Sequence, residues 1–301
     1  MPAREAFDAV VVGGGPAGAT AAETLARAGR SVLLLDRAGR IKPCGGAIPP
    51  RAIDEFTIPD EMLVAKITCA RIVSPTAQHV DIPIKGGFVG MVDRCEFDEW
   101  LRERAAGAGA ERRTGIFHHL ESQADGTTLV HYHPGGSHTN KESVTVRAKA
   151  VVGADGARSE VARQALPEHE TPFVFAYHEI AEAPDGTVGD YAGHRCDVYY
   201  DGRVSPDFYG WVFPHGRTVS IGTGTAHKGF SLRDATGRLR EVAGLADCPT
   251  VRHEGAPIPL KPLPRWDDGR NVVLAGDAAG VVAPASGEGI FYALLGGRLA
   301  G

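Results

Sequence analysis

The pattern that most constrains this chain lies between Phe7 and Asp36. An apolar run at 7–12 enters Gly13-Gly14-Gly15-Pro16-Ala17-Gly18, a small-residue helical stretch continues to Ala28 and stops at Gly29, and residues 31–35 lead into Asp36. The order is strand, glycine turn, helix, strand, acid, which is that of a dinucleotide-binding unit. Gly13 permits a tight turn, Gly15 lets backbone approach a pyrophosphate, and Gly18 permits close helix–strand packing. The helix N-terminus, with Ala17 in its first turn, presents N–H groups at its positive dipole end. Asp36 stands where ribose hydroxyls donate to a carboxylate. A glycine-rich turn alone is weak evidence, but here strand, helix and acid all occupy the positions the mechanism requires.

A chain of 301 residues can bury a large core, as one large domain or two intertwined ones. With 43% hydrophobic and 23% charged residues, the composition is that of an ordinary globular protein. A net charge of −5 and the lack of a long basic run give no electrostatic footprint for nucleic acid. No apolar stretch reaches the roughly 18 residues of a membrane span, because the N-terminal candidate is broken by glycines, Asp8 and Glu23. That segment is not a signal peptide either, since its apolar part is the first strand and helix of the nucleotide unit. Cys44, Cys69, Cys95, Cys196 and Cys248 are odd in number, widely spaced and without a C-x-x-C pair. They are expected to be free thiols in a reducing cytosol, with no disulfide framework and no structural zinc.

After Asp36 the chain is rich in glycine and proline through Pro50, which predicts a long loop, and such loops often hold function. Residues 71–84 alternate weakly as one or two strands, whereas Phe97, Leu101 and Ala105 recur at helical spacing. Residues 127–133 and 143–152 predict two strands around Pro134-Gly135-Gly136-Ser137, the second ending in Gly153-Ala154-Asp155-Gly156. From 173 to 224 the texture is β-rich, with short strands at 197–200, 210–213 and 219–222. Residues 271–275 read as a buried strand that leads to Gly276-Asp277 and then to a helix from about Gly289, so the last segment returns to the nucleotide domain. The β-rich part is then an insertion.

Three separated motifs, the opening turn, Gly153-Ala154-Asp155-Gly156 and Ala275-Gly276-Asp277-Ala278-Ala279, together resemble the flavoproteins built like para-hydroxybenzoate hydroxylase. The resemblance implies an α/β fold in which a Rossmann-like FAD-binding domain is interrupted by a β-sheet substrate domain. Residues 1–65, 91–165 and 262–301 are expected to form the first domain, and 66–90 with 166–261 the second. Gly13, Gly15, Ala17, Gly18, Asp36 and Arg37 would hold the ADP half of FAD, with Asp155 at the second motif. Asp277 would lie by the pyrophosphate and ribityl chain, and Arg94 matches an arginine near the FAD.

Finer motifs narrow the family. Lys42-Pro43-Cys44-Gly45-Gly46-Ala47-Ile48-Pro49, taken with Asp207-Phe208-Tyr209-Gly210-Trp211-Val212-Phe213-Pro214, resembles the geranylgeranyl reductases of the bacteriochlorophyll and chlorophyll branch. That resemblance implies reduction of a geranylgeranyl chain to phytyl, on a chlorophyll-type pigment or as the diphosphate, with NADPH as reductant and FAD as carrier. It also places the Cys44-Gly45-Gly46 loop beside the isoalloxazine ring. The family continues past the position matching Gly301, so its C-terminal part is expected to be absent. An aromatic hydroxylase using O₂ on the same fold, and a non-catalytic flavin-binding remnant, are the alternatives.

An isolated trisubstituted alkene is not polarised, so hydride delivery to one carbon needs a proton at the other, in a dry apolar channel. Cys44 is the candidate donor, the alternative being a buried small hydrophobe. Tyr209 and Trp211 stand two apart on one strand and share a face, as channel lining or as plain core aromatics. Backbone N–H groups around Ser286-Gly287-Glu288-Gly289, before the last helix, could stabilise negative charge on the flavin, or form only a helix cap. His131, His133 and His138 lie near one turn, but no acid or thiol joins them in sequence, so no metal is expected. His215 reads as a hydrogen-bonded loop histidine and Arg158 as structural. NADPH leaves no second glycine fingerprint, and Asp36 would repel a 2′-phosphate, so the first site suits FAD. A lipophilic substrate implies a cytoplasmic protein in peripheral contact with a photosynthetic membrane, although no amphipathic anchor is visible.

Overall fold

The structure, a computed structural model, describes residues 5–37, 42–136, 142–184, 188–283 and 286–301. The chain opens with β1 (Ala6–Val12), α1 (Pro16–Arg27) and β2 (Val32–Asp36). Next come β3 (Ala47–Ile48), α2 (Pro50–Glu55), β4 (Ala65–Ile67), β5 (Cys69–Val73), β6 (His79–Pro83) and β7 (Val89–Met91). These are followed by α3 (Arg94–Gly107), β8 (Glu111–Ser122), β9 (Thr128–Pro134), β10 (Val144–Gly153) and α4 (Glu160–Ala165). Then come β11 (Phe173–Glu182), β12 (Arg195–Tyr199), β13 (Gly210–His215), β14 (Thr218–Thr225), α5 (Leu232–Val242) and β15 (Thr250–Pro259). β16 (Val272–Leu274) and α6 (Ile290–Ala300) close the described chain.

Two compact units result: Met1–Ile41, Phe97–Pro172 and Pro259–Gly301 form the first, Lys42–Glu96 and Phe173–Ile258 the second. The boundaries differ from those expected, since residues 42–65 and 91–96 group with the second unit. The reason is sheet pairing: β3 and β4 both pair antiparallel with β7, which ties the glycine-rich loop after Asp36 to that unit.

In the first unit, parallel strands stand in the order β16, β10, β1, β2, β8. β8 and β10 are long enough to serve twice. The first residues of β8 pair with β2 and its remainder with β9, while β10 pairs first with β9 and then with β1. An antiparallel meander thereby covers one face of the parallel sheet. Side chains alternate across β1 and β2. Val10, Val12, Leu33 and Leu35 pack with Val130, Tyr132 and Val146 of the meander. Val11, Val32 and Leu34 pack against Ala17, Ala21, Ala22 and Ala26 of α1, Ala105 of α3 and Ala293 of α6. With both faces covered, these strands read as unbroken apolar runs rather than alternating ones. Leu33, Leu34 and Leu35 are each at most 1% exposed, and such burial contributes about 1.5–3 kcal/mol per side chain. Small residues let the helices approach: a Cβ on Gly297 of α6 would lie 2.1 Å from the Ala17 carbonyl oxygen of α1.

The second unit is built on a seven-stranded sheet in the order β15, β11, β14, β13, β12, β5, β6, in which only the β12–β5 pairing is parallel among those described. Alternation along β13 again divides two cores. Val212 packs with Val219, Ile221 and Leu239 of α5, whereas Trp211 packs with Tyr209 and Ala176. Among the described residues, no helix is long and apolar enough to cross a membrane.

Candidate active site

At the carboxyl ends of β1, β10 and β16 the three sequence motifs of the first unit meet. Gly13 takes a left-handed conformation (φ +105°), and a Cβ there would lie 2.3 Å from the Ala154 carbonyl oxygen. A Cβ on Gly18 would fall 1.8 Å from the Gly13 carbonyl oxygen. Gly15 is different, because nothing lies within 4 Å of its Cβ position. Its openness coincides with the start of α1, which has proline at its head and no side-chain cap. The first-turn N–H groups of Ala17 and Gly18 thus face the place where a pyrophosphate would sit. Ala17 itself is buried, with its methyl 2.9 Å from the Cβ position of Gly276, so its side chain serves packing.

Asp36 ends β2 half-buried, and its Oδ1 accepts from the Gly14 N–H (2.9 Å). A Cβ on Gly14 would lie 2.7 Å from the Asp36 Cγ, so this glycine too is required. Arg102 of α3 donates through Nη1 to the Gly14 carbonyl (3.1 Å) and lies 3.4 Å from Asp36 Oδ2. Neither Gly14 nor Arg102 stood out in the sequence, and no spacing rule connects α3 to the turn. Arg37, next to Asp36, is exposed.

Two acids expected at the cofactor take more specific places. Asp155 accepts from the Ser159 hydroxyl and from the N–H groups of Glu160 (2.7 Å) and Val161 (3.2 Å). Its carboxylate therefore caps α4, together with Ser159, whose Oγ accepts from Ala162 (2.8 Å). Asp277 lies in a short 3₁₀ turn, Gly276–Ala279, with its Oδ1 3.5 Å from the Cβ position of Gly289. Of the amides before α6 that the sequence suggested for an anion, those of Gly287 and Glu288 are engaged within the chain, the latter by Ser286 Oγ (3.3 Å). Gly287 donates to the Ala283 carbonyl (2.8 Å), and Glu288 Oε1 accepts from the Phe291 N–H (2.8 Å). Burial raises the Glu288 carboxyl above its ordinary value, outweighing the amides of Phe291 and Ile290, and the Asp277 carboxylate adds to the rise.

The second unit collects the other candidates. Cys44 is half-buried and its Sγ accepts from the Gly46 N–H (3.4 Å). Gly45 and Gly46 let this loop lie against β13: a Cβ on Gly45 would meet the Phe213 ring at 3.2 Å. One on Gly46, whose φ is +71°, would meet both His215 Nε2 and the Val92 carbonyl at 2.6 Å. His215 is hydrogen-bonded as expected, but it ends β13 rather than lying in a loop, and it packs against Gly46. Its Nδ1–H donates to the Phe213 carbonyl (3.0 Å), and burial lowers its basicity, so the neutral ring turns an acceptor Nε2 toward Gly46.

Tyr209, Trp211 and Phe213 form a stripe with successive ring centroids 6.1 and 6.3 Å apart. Burial, with Tyr200 and Cys44 nearby, raises the Tyr209 phenol well above its ordinary value, so it stays protonated. Trp211 is held from behind. Its Nε1–H donates to Ser220 Oγ (3.1 Å), which leaves the Ser220 proton for His178 Nδ1 (2.9 Å) and places the His178 proton on Nε2, toward Glu254 (3.2 Å). Arg252 closes the series on Glu254 (2.8 Å). His178, Ser220 and Glu254 come from three strands and carry no joint signal in the sequence. Arg94 is buried at the head of α3, and Arg158 is exposed.

His131 and His133 lie on β9, and His138 lies outside the described residues. Contrary to expectation, an acid does stand beside one of these histidines, because Glu121 of β8 groups with His131 and with His119 of the same strand.

A family model described as "FAD binding domain" matches residues 6–174. The chain is 61% identical over 294 residues to the geranylgeranyl diphosphate reductase of Rhodobacter capsulatus, covering 98% of this chain and 74% of that protein. The chain belongs to the geranylgeranyl diphosphate reductase family. It is also 40% identical to the chloroplastic geranylgeranyl diphosphate reductase of Oryza sativa subsp. japonica, over 99% of this chain and 66% of that one. The chain thus spans about two thirds to three quarters of the length of these relatives. Its fold matches the crystal structure of a geranylgeranyl bacteriochlorophyll reductase-like protein from Thermoplasma acidophilum. The TM-score is 0.85 and the identity 24%, covering 98% of this chain and 77% of that one. For this reductase-family chain FAD is the nucleotide, and the residues fit it: an open Gly15, an uncapped α1 and a half-buried Asp36 carboxylate supply space, amides and a ribose acceptor.

Proposed function

We propose that this chain reduces the isolated double bonds of a geranylgeranyl chain, with electrons entering from NADPH. Geranylgeranyl diphosphate or a geranylgeranylated, chlorophyll-type pigment is the substrate, and a lipid of this kind implies peripheral contact with a membrane. The observation that carries the reading is the Cys44-Gly45-Gly46 loop laid against the aromatic stripe of β13, within a family member whose first unit is built for FAD. FAD, when bound, supplies the hydride that one alkene carbon receives.

In this reading the first-turn amides of α1 and the open face of Gly15 hold the pyrophosphate, Asp36 accepts from ribose hydroxyls, and Arg102 fixes the carboxylate that does so. Asp277 takes the ribityl side, and Arg94 supplies positive charge to the cofactor. Cys44 holds the proton that the second alkene carbon takes up. The Gly46 N–H, which donates to the sulfur, fixes its position. Tyr209 and Trp211 line the channel and exclude water, and Trp211 cannot turn away without breaking its bond to Ser220.

Anaerobic absorbance tests the proposal. NADPH should bleach the flavin of the FAD-loaded protein, and geranylgeranyl diphosphate should restore its colour without oxygen. Restoration only by O₂ would favour an aromatic hydroxylase or a non-catalytic remnant.

A further inference from the structure

The β8–β9 hairpin carries histidines that the flavin chemistry does not use. His119 and His131 are directly opposed cross-strand partners, and Glu121, two residues beyond His119, emerges on the same face. The two imidazoles are stacked with centroids 3.9 Å apart, and Glu121 Oε2 lies 3.4 Å from His131 Nε2. One ligand atom from each of the three residues lies within 4.8 Å of the others. We infer that His119, Glu121 and His131 form a binding site for a divalent transition-metal ion of the zinc class.

The donor set favours such an ion. Two imidazole nitrogens and one carboxylate oxygen suit borderline first-row metals, with water as the fourth ligand, whereas calcium and magnesium prefer oxygen alone. Bonds of about 2.0–2.2 Å in a tetrahedron bring ligand atoms about 3.3 Å apart, which Glu121 Oε2 and His131 Nε2 already approach and which the stacked rings reach by turning their edges toward the ion. A supporting shell is present as well. Thr145 Oγ1, opposite His131 on β10, bonds His131 Nδ1 (3.0 Å) and so directs Nε2 to the metal. His118 Nδ1 engages His119 Nδ1 (2.7 Å) in the same way. The His118 ring also lies 5.2 Å from that of His133. Imidazoles this close repel one another as cations but ligate as neutral rings. The ion would tie β8 to β9 and, through Thr145, to β10.

The test uses the FAD-loaded chain, stripped with a chelator and titrated calorimetrically with zinc(II). One equivalent should bind in the wild type and in Cys95→Ser, which removes an exposed thiol. His119→Ala and His131→Ala should each weaken binding at least tenfold, and Thr145→Val by about tenfold. Flavin content should not move, and the rise in melting temperature on adding zinc should be lost in these variants whatever their metal-free melting temperature. Cobalt(II) provides a second reading on the intact protein: tetrahedral ligand-field bands without thiolate charge transfer are expected. No zinc bound by the wild type, wild-type affinity in the His119→Ala/His131→Ala double variant, loss in Cys95→Ser, or thiolate bands with cobalt would each overturn the site.

Discussion

Two glycines three residues apart make opposite demands. Gly18 has backbone in the way of any Cβ, since the Gly13 oxygen would lie at 1.8 Å, whereas Gly15 has open space and an ordinary φ of −75°. Gly18→Ala should destabilise the fold by about 1–3 kcal/mol or more, because neither neighbour can rotate out of the way. Gly15→Ala should leave the apo-protein's melting unchanged and weaken only FAD retention, as its methyl enters the space reserved for the pyrophosphate. Melting of the apo-protein alongside measurement of the FAD Kd separates the two. Cys44→Ser keeps an acceptor for the Gly46 N–H but a far poorer proton donor, so product formation should fall about 10²–10⁴-fold at unchanged flavin content. Glu288 makes a pH prediction. Its carboxyl titrates above the ordinary value when folded, so the protonated form supports folding. The contribution is complete below the unfolded value of about 4.3 and is lost as pH rises through the folded one. Glu288→Gln, which can still accept from Phe291, should therefore melt higher than wild type at about pH 7 and converge with it toward about pH 4.

Strands explain why some of this was legible in the sequence and some was not. The unit from β1 to β2 could be read directly because its chemistry is local: glycine, proline and acid sit within thirty residues, and apolar runs mark strands covered on both faces. Helix α3 and strands β9, β10, β13 and β14 followed from periodicity. By contrast, β8 escaped notice. It serves two sheets in turn, so its exposure pattern changes midway and no single period describes it. The same limit hid the side-chain relay behind Trp211, because His178, Ser220 and Glu254 meet only when β11, β14 and β15 are paired. Ser220→Ala would leave the Trp211 N–H and His178 Nδ1 buried without partners. That change should cost about 1–3 kcal/mol in urea unfolding and raise KM for the isoprenoid as Trp211 loosens. Asp155 gives the converse lesson: an acid in a cofactor motif reads as a ligand, yet its carboxylate caps α4.

At the scale of the molecule, the chain leaves the first unit after residues 41 and 172 and returns to it at residues 97 and 259. The sequence showed this interruption through the return of a buried strand at 272–274, but not its edges, which the pairing of β3 and β4 with β7 decides. The first unit carries residues suited to the nucleotide, and the second carries the cysteine loop and the aromatic stripe. Membership in the reductase family and the geometry of that loop together give the central claim, that alkene carbons of a geranylgeranyl chain gain hydrogen at this protein. Mass spectrometry tests it most directly. FAD-loaded protein, NADPH and geranylgeranyl diphosphate, incubated without oxygen, should yield isoprenoid products heavier by successive pairs of hydrogens. NADPH consumption with the isoprenoid mass unchanged, or products that gain oxygen once air is admitted, would contradict the account.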